Sequence, residues 1–160
     1  MTSILKVTEI QDPTNSNKAL EIDSSGRVQN PKRPYIMLIT NAQETVSANT
    51  AYTGWRVDGQ RDITYSSGVS TVPVDGLYRI GFSVITQGTG GYYLRINGTA
   101  KYRIGYGNAG TGETWSQQGS DGVFELNAGD TVDFAPETSL VTFGATSFSG
   151  VGGAYIYLLG

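Results

Sequence analysis

From residue 35 onward, apolar and polar residues alternate in short runs that predict β-strands. The clearest run is 77–87, in which Tyr78, Ile80, Phe82 and Val84 share one face. Further runs cover residues 91–96, 100–104, 123–126 and 131–134, with turn signals such as Asn-Gly between them. Many short strands joined by turns, without a helical period of useful length, predict an all-β sandwich or barrel.

Two apolar runs do not alternate. Residues 35–39 are apolar throughout, and so are most of residues 154–159. A strand that is apolar on both faces needs cover on both, whereas a strand in a small sandwich has the core on one face and solvent on the other. We expect a contact between subunits to cover the second face. The alternative is that both runs are central strands lying under long loops.

Residues 1–33 differ from the rest of the chain. Residues 5–10 alternate, a polar stretch follows, and a small hairpin is predicted from 19–22, a turn at 23–26 and 27–29. A two-stranded hairpin alone is marginally stable in water, so this segment is expected to rely on other contacts. We therefore divide the chain into a leader or docking segment, 1–33, and a β domain, 34–160.

The composition excludes several classes of function. The 160 residues (17.1 kDa) include no Cys and no His, which removes disulfide frameworks, Ser-His-Asp triads and nearly all zinc sites. The net charge of −3, from 11 Lys and Arg against 14 Asp and Glu, argues against nucleic acid as a partner. The sequence shows neither a secretory signal nor a membrane-spanning run, so we expect no cleaved leader and no membrane partner.

Motifs for catalysis or cofactor binding are weak. Residues 105–110 match G-x-G-x-x-G, but no helix is predicted after them to receive a phosphate, so we expect no cofactor. Scattered carboxylates could in principle supply a glycosidase pair, although no spacing marks two of them as partners. They are Asp58, Asp62, Glu113, Asp121, Asp130, Asp133 and Glu137. Asp130 is predicted in a turn and Asp133 on the outward face of a strand, and we expect neither an enzyme nor a metal site.

Aromatic residues are the better candidates for binding. Tyr52, Trp55, Tyr93, Tyr106 and Trp115 fall in predicted loops or on the predicted outer face. Flat amphipathic rings suit sugar faces and protein anchors, because they contribute a large contact area at a low cost in entropy. The alternative for each ring is that it covers a loop or fills a gap. For receptor binding we select Trp115, Tyr106, Trp55 and Tyr93.

Four motifs, in order, resemble the C1q/tumour-necrosis-factor-like family. They are 70–84, where Val-Pro leads into Gly-Leu-Tyr; 94–98, a strand ending in Asn-Gly; 124–132, with a Gly-Asp turn; and 147–150 with 155–159, a Phe-Ser-Gly and a closing strand. The resemblance, over 34–160, implies a ten-stranded jelly-roll sandwich that forms a homotrimer, with its first and last strands adjacent near the threefold axis. The implied trimer interface comprises Tyr35, Met37, Ile39, Tyr155, Tyr157 and Leu159.

The leader carries a second resemblance. Residues 3–11 and 19–28 are similar to the start of structural proteins from phages of aquatic bacteria, cyanophages especially, in which such a leader precedes a fibre-tip domain. The resemblance implies a virion protein on the exterior of the tail or head, made in the host cytoplasm. Residues 1–33 would then contact other virion proteins.

Three functions are compatible with these resemblances. The first is a trimeric tail fibre or fibre tip that recognises a bacterial surface glycan or protein through the selected rings, with avidity from three copies. A trimer would carry a net charge of −9 (3 × −3), which argues against simple adhesion to anionic surfaces. The second is a trimeric capsid decoration or head-fibre protein, which the sequence does not separate from the first. The third, ranked last, is a polysaccharide-degrading tail spike.

Overall fold

The computed structural model describes residues 8–11, 18–30, 32–108, 115–143 and 152–159. Contacts divide the chain into two compact units, the N-terminal unit (Met1–Arg33) and the C-terminal unit (Pro34–Gly160). The strands are β1 (Glu9–Gln11), β2 (Lys18–Ile22), β3 (Val28–Gln29), β4 (Tyr35–Thr40), β5 (Glu44–Val46), β6 (Trp55–Arg61), β7 (Thr64–Ser66), β8 (Val69–Thr71), β9 (Gly76–Gln87), β10 (Thr89–Ile96), β11 (Thr99–Asn108), β12 (Ser116–Leu126), β13 (Thr131–Pro136), β14 (Leu140–Thr142) and β15 (Gly153–Leu158). Within these described ranges no helix is long and apolar enough to cross a membrane.

The N-terminal unit is an antiparallel three-stranded sheet in the order β1-β2-β3. The turn between β2 and β3 forms because the Asp23 carboxylate accepts the backbone N–H groups of Ser25 (2.9 Å) and Arg27 (3.0 Å). Gly26 occupies a positive φ of 78°, which glycine adopts without a steric cost. The predicted hairpin is therefore confirmed. Residues 5–7 of the predicted first strand lie outside the described residues.

The C-terminal unit is a sandwich of two antiparallel sheets. In the seven-stranded sheet, β15 lies between β4 and β9, β6 pairs the other edge of β4, and β12 pairs the other edge of β9. β14 pairs the last residues of β9 and also pairs β5. The other sheet has five strands in the order β11-β10-β13-β8-β7. The first and last strands of this unit are adjacent, as the resemblance implied.

The core lies between the two sheets. The predicted alternation in β9 is confirmed, because Tyr78, Ile80, Phe82 and Val84 are all buried. β10 and β13 supply the facing layer with Tyr92, Leu94, Val132 and Phe134. Burial of such large apolar side chains is the main favourable term in the folding of a sandwich of this size.

One strand is much longer than the sequence predicts. β12 begins at Ser116, although only residues 123–126 alternate clearly. The first half is polar and glycine-rich, yet it pairs with β9 without interruption from Ser116 opposite Thr86 to Leu126 opposite Gly76. Pairing with a long, well-patterned neighbour therefore decides the length of β12.

Two turns at one end of the C-terminal unit are joined by side chains. Asn97 and Gly98, between β10 and β11, both have positive φ (53° and 72°), as predicted for a tight hairpin. Asn97 Nδ2 donates to Asp130 Oδ1 (2.7 Å), and Asp130 Oδ2 accepts the Asn127 N–H (2.8 Å). These two hydrogen bonds, first from Asn97 and then from Asn127, lower the pKa of Asp130.

This turn network predicts a stability that depends on pH. Because the folded pKa of Asp130 is lowered, its stabilising effect is present above the ordinary Asp pKa of about 3.9 and is lost as the pH falls through the lowered value. Asp130→Asn should therefore unfold more easily than the unmodified chain at pH 7, and this difference should vanish at low pH. Denaturant unfolding at several pH values measures it. Asp58→Asn, at an exposed position of β6, is the control, and a difference for Asp130→Asn that stays constant with pH would contradict the assignment.

Candidate functional site

The outward side of the seven-stranded sheet carries an aromatic and apolar surface at its centre. We call it the aromatic face, and it consists of Tyr35, Met37 and Ile39 on β4 with Tyr155 and Tyr157 on β15. The two strands bury their alternate residues, among them Ile36 and Ile156, in the core. Met37 is 51% exposed, although it lies at the centre of the sheet.

The register of three strands arranges this face in rows. Met37, Tyr155 and Gly81 lie side by side in one row, and Tyr35 and Tyr157 lie in the next. A Cβ at Gly81 would overlap the ring of Tyr155, so the absence of a side chain on β9 lets that ring lie flat across the sheet. The rings of Tyr155 and Tyr157 are 5.7 Å apart between centroids.

Charged groups border the aromatic face. Arg79 Nε donates to Asp121 Oδ2 (2.5 Å), and Arg79 Nη1 donates to the Tyr157 hydroxyl (3.4 Å). These hydrogen bonds, the one to Asp121 first, raise the pKa of the Arg79 guanidinium. Arg61 lies over the Tyr35 ring at 5.4 Å from its centroid.

Beside Tyr155 the sheet surface is hollow. A depression of ≈ 530 Å³ is lined by Tyr155, Arg79, Asp121, Ser83 and glycines of β12 and β15. Leu159, just beyond β15, donates its N–H to Leu77 O (2.7 Å) at the border of the sheet. Five of the six residues selected from the sequence for a subunit interface therefore lie next to one another on one side of one sheet, and the sixth, Leu159, follows just beyond the end of β15.

The outward side of the five-stranded sheet carries a second group of rings, which we call the ring cluster: Tyr93, Arg103, Tyr106 and Glu137. The Tyr93 hydroxyl donates to Glu137 Oε1 (3.1 Å), and Arg103 Nη2 forms an ion pair with Glu137 Oε2. The guanidinium of Arg103 also lies 4.5 Å from the ring centroid of Tyr106. The hydrogen bond to Glu137 raises the pKa of Tyr93.

A β-bulge brings Arg103 and Tyr106 to the same face. They are three residues apart, so regular alternation would place them on opposite faces. The register shifts between Tyr92 and Tyr93, which pair with Gly105 and Arg103, and one residue of β11 is left without a partner. This extra residue returns Tyr106 to the outward face, where it is 57% exposed.

Tyr106 and Trp115 lie at the end of the C-terminal unit opposite Pro34. Pro34 O accepts the N–H of Leu158, which pairs with Tyr78 on β9. Trp115 precedes Ser116, which pairs with Thr86. Since Thr86 is eight residues beyond Tyr78 along β9, the two ends are about 26 Å apart. Trp115 is 46% exposed and packs on Phe143, with 4.8 Å between ring centroids.

Two of the rings assigned to the surface from the sequence are in the core, and that interpretation is wrong for them. Trp55 is 6% exposed, and Tyr52 is completely buried. Trp55 makes edge contacts with Tyr52 (4.7 Å), Phe82 (5.8 Å) and Phe134 (6.2 Å). It fills the space between the sheets and is not available to a receptor. Burial raises the pKa of Tyr52.

The predicted exposure of Asp133 is also wrong. Its side chain points to the outward face of the five-stranded sheet, but it is buried under Arg95, whose Nε donates to Asp133 Oδ1 (2.7 Å). Arg95 Nη1 in turn donates to Asn49 O (2.5 Å). The sequence does not single out Arg95 or Arg103, because the carboxylates that hold them, Asp133 and Glu137, are more than 30 residues away along the chain.

Other candidates from the sequence give no further site. Within the described residues, no group of three or more Asp, Glu, His or Cys could hold a metal ion. Glu113 and the end of the G-x-G-x-x-G motif, and the Phe-Ser-Gly motif at 147–150, lie outside the described residues.

The fold is similar to several solved structures. The Eiger TNF of S. frugiperda matches with a TM-score of 0.65 at 12% identity, over 81% of this chain and 94% of that one. Murine APRIL matches with 0.64 at 14% identity, over 80% and 100%. The globular domain of the zebrafish complement 1qA protein matches with 0.63 at 14% identity, over 80% and 98%. No family model and no curated protein sequence matches the chain. The C-terminal unit therefore has a C1q/TNF-like jelly-roll fold.

The different positions of the two tryptophans predict different losses of stability. Trp55→Ala should lower the free energy of unfolding by about 3–5 kcal/mol, because it leaves a cavity among three other rings. Trp115→Ala should cost less than half as much, since one side of that ring is in solvent. Denaturant unfolding measures both.

Fluorescence gives an independent check, because the chain has two Trp in all. Trp115→Phe leaves Trp55, whose emission iodide should hardly quench, and Trp55→Phe leaves Trp115, which iodide should quench strongly. Equal quenching of the two variants would contradict the assignment.

Proposed function

We propose that this protein is a trimeric virion structural protein of a phage, a tail fibre or fibre tip that binds a bacterial surface glycan. The observation that carries the proposal is the aromatic face, which lies on strands that are apolar on both sides. The binding rings lie elsewhere, on the other sheet and at the end opposite Pro34, so that assembly and binding would use different surfaces.

The composition of the aromatic face supports assembly into a homotrimer. Large exposed apolar patches are rare on monomers and mark interaction sites. Tyr, Met and Arg are enriched in the cores of protein interfaces, and the face combines three tyrosines with Met37, between Arg61 and Arg79. A threefold contact is heterologous, so it needs two different surfaces that fit each other. The depression beside Tyr155 and the exposed side chain of Met37 supply a hollow and a projection on one face.

The ring cluster and Trp115 support a carbohydrate ligand. One side of Tyr106 is covered by Arg103, and its exposed fraction leaves ring surface for the C–H face of a sugar. Arg103, Glu137 and the Tyr93 hydroxyl are held by one another beside it, and they offer both donors and acceptors to sugar hydroxyls. The positive charge of Arg103 is already paired, which favours a neutral glycan over an acidic one.

The expectation that the chain is not an enzyme has support from the carboxylates. Three of the scattered candidates are ion-paired: Asp121 with Arg79, Asp133 with Arg95, and Glu137 with Arg103. A glycosidase needs two carboxyl groups at a set separation that both contact the substrate, whereas each of these three is engaged by a different arginine.

The virion assignment rests on the resemblance of residues 3–11 and 19–28 to phage structural proteins. In this proposal residues 1–33 attach the chain to other virion proteins, and the C-terminal unit points its Trp115 end outward. Gold-labelled antibody against the chain should decorate phage tails in electron micrographs. Labelling of the head would instead favour a capsid decoration protein, and particles without label would contradict a virion role.

A charge placed on the aromatic face should dissociate the trimer. Met37 is half exposed in the single chain, so Met37→Glu should fold, whereas three buried carboxylates at an interface would repel one another. Light scattering after size exclusion should report one chain of 17.1 kDa in place of three. Val74→Glu, an exposed apolar residue in a turn, is the matched control and should stay trimeric. Retention of the trimer by Met37→Glu would contradict the assigned interface.

Removal of the exposed rings should weaken binding to host cells. The loss of one stacking contact of about 1 kcal/mol lowers affinity about 5-fold at one site. When the three sites of a trimer bind together, the three losses multiply to a decrease in affinity of about 100-fold. We expect losses of this order from Tyr106→Ala and from Trp115→Ala in a cell-binding assay.

Tyr102→Ala is the control for this assay, because Tyr102 is an exposed tyrosine of the same strand as Tyr106 but lies toward the opposite end. Unchanged binding by both Tyr106→Ala and Trp115→Ala would exclude these rings from the receptor site.

A further inference from the structure

The N-terminal unit has one face made of apolar side chains that none of its described residues covers. The register pairs Ile10 with Leu20 and Ile22 with Val28, so all four lie on the same side of the sheet. They are exposed by between 38% (Leu20) and 65% (Val28), and together with Glu9 they line a hollow of ≈ 230 Å³.

This sheet is too small to be stable with that face in water. Its strands have three, five and two residues, at or below the usual strand length of about five to six residues, so they bury little apolar area against one another. A unit of 33 residues also lies below the size at which a chain forms a sufficient core by itself. The face therefore requires an occupant.

We propose that the occupant is the same face of two other copies of this chain, so that three N-terminal units enclose one apolar core about the threefold axis. The proposal rests on the trimer proposed above. It is not implied by the aromatic face alone, because that face belongs to the C-terminal unit.

The connection between the units supplies the first argument. Five residues, 30–34, separate the end of β3 from the start of β4, so the chain between them spans at most about 20 Å. β4 belongs to the aromatic face, where the trimer contact is proposed. A trimer formed there would hold three N-terminal units close together, at an effective concentration on the order of millimolar or above. Any outside partner would have to displace copies that are already present.

The distribution of charge indicates which side of the N-terminal sheet would contact the other copies. The four apolar side chains carry no charge, so three such faces approach one another without repulsion. On the opposite side of the sheet Glu9 and Glu21 are directly paired in the register. Copies packed through that side would have to take six carboxylates out of water, which costs free energy that the burial of apolar side chains does not. The acidic side would therefore remain outward and available to other virion proteins.

Cysteine cross-linking of the full chain tests this arrangement, because the chain has no cysteine of its own. Ile22→Cys places one thiol on the apolar face of the central strand. Glu21→Cys is the matched control, since it places the thiol on the adjacent residue of the same strand and on the opposite face. The probes are a mild oxidant and, separately, a short bis-maleimide, and denaturing gels measure covalent dimers. Val28→Cys reports the same apolar face from the edge strand.

We expect covalent dimers from Ile22→Cys and Val28→Cys at least 10-fold above those from Glu21→Cys, while light scattering shows all three as trimers. Trimers without cross-links at either apolar position would overturn the proposed N-terminal core but would not contradict the trimer itself. The apolar face would then be free for a virion protein. Equal cross-linking at Glu21 and Ile22 would overturn it as well. A monomeric mass for the unmodified chain would overturn the proposed trimer, and this inference with it.

Discussion

The position of β15 between β4 and β9 is the constraint on which the rest of the structure depends. Hydrogen bonds along both edges fix the register of β15 at the centre of the seven-stranded sheet. Because side chains alternate, this register sends Ala154 and Ile156 to the core and Tyr155 and Tyr157 outward. A slip by one residue would exchange the two sets. The core would then have to enclose two tyrosine hydroxyls, and the aromatic face would be lost.

Each sheet combines exposed rings with an arginine that a carboxylate holds in place. On the seven-stranded sheet Asp121 binds Arg79 beside Tyr157, and on the five-stranded sheet Glu137 binds Arg103 beside Tyr106. The ion pairs orient the guanidinium groups of Arg79 and Arg103 and neutralise these two charges beside the rings. Contacts to both surfaces would therefore depend on the shape of the rings and on hydrogen bonds, with little dependence on salt.

The sequence predicts this structure well where the alternation of neighbouring residues determines which side chains are buried. It predicts the structure poorly where contacts with residues far along the chain determine burial or strand length. The alternation in 77–87 correctly places the core side of β9, and the Asn97–Gly98 turn forms as expected. The burial of Trp55 depends on Phe82 and Phe134, which are far along the chain, so its polar neighbours suggested a surface position. The polar start of β12 is a strand because β9 pairs with it. The meeting of Arg103 with Tyr106 depends on a bulge that alternation does not reveal.

If the aromatic face is a contact between three copies of the chain, the apolar outer side of β4 and β15 becomes part of an interior. The most direct measurement is the solution mass of the unmodified full chain by light scattering after size exclusion. A trimer gives a species near 51 kDa (3 × 17.1 kDa), which is the expected result. A monomer of 17.1 kDa at micromolar concentration would contradict it, because Tyr35, Met37 and Tyr155 would then face water with no partner to bury them.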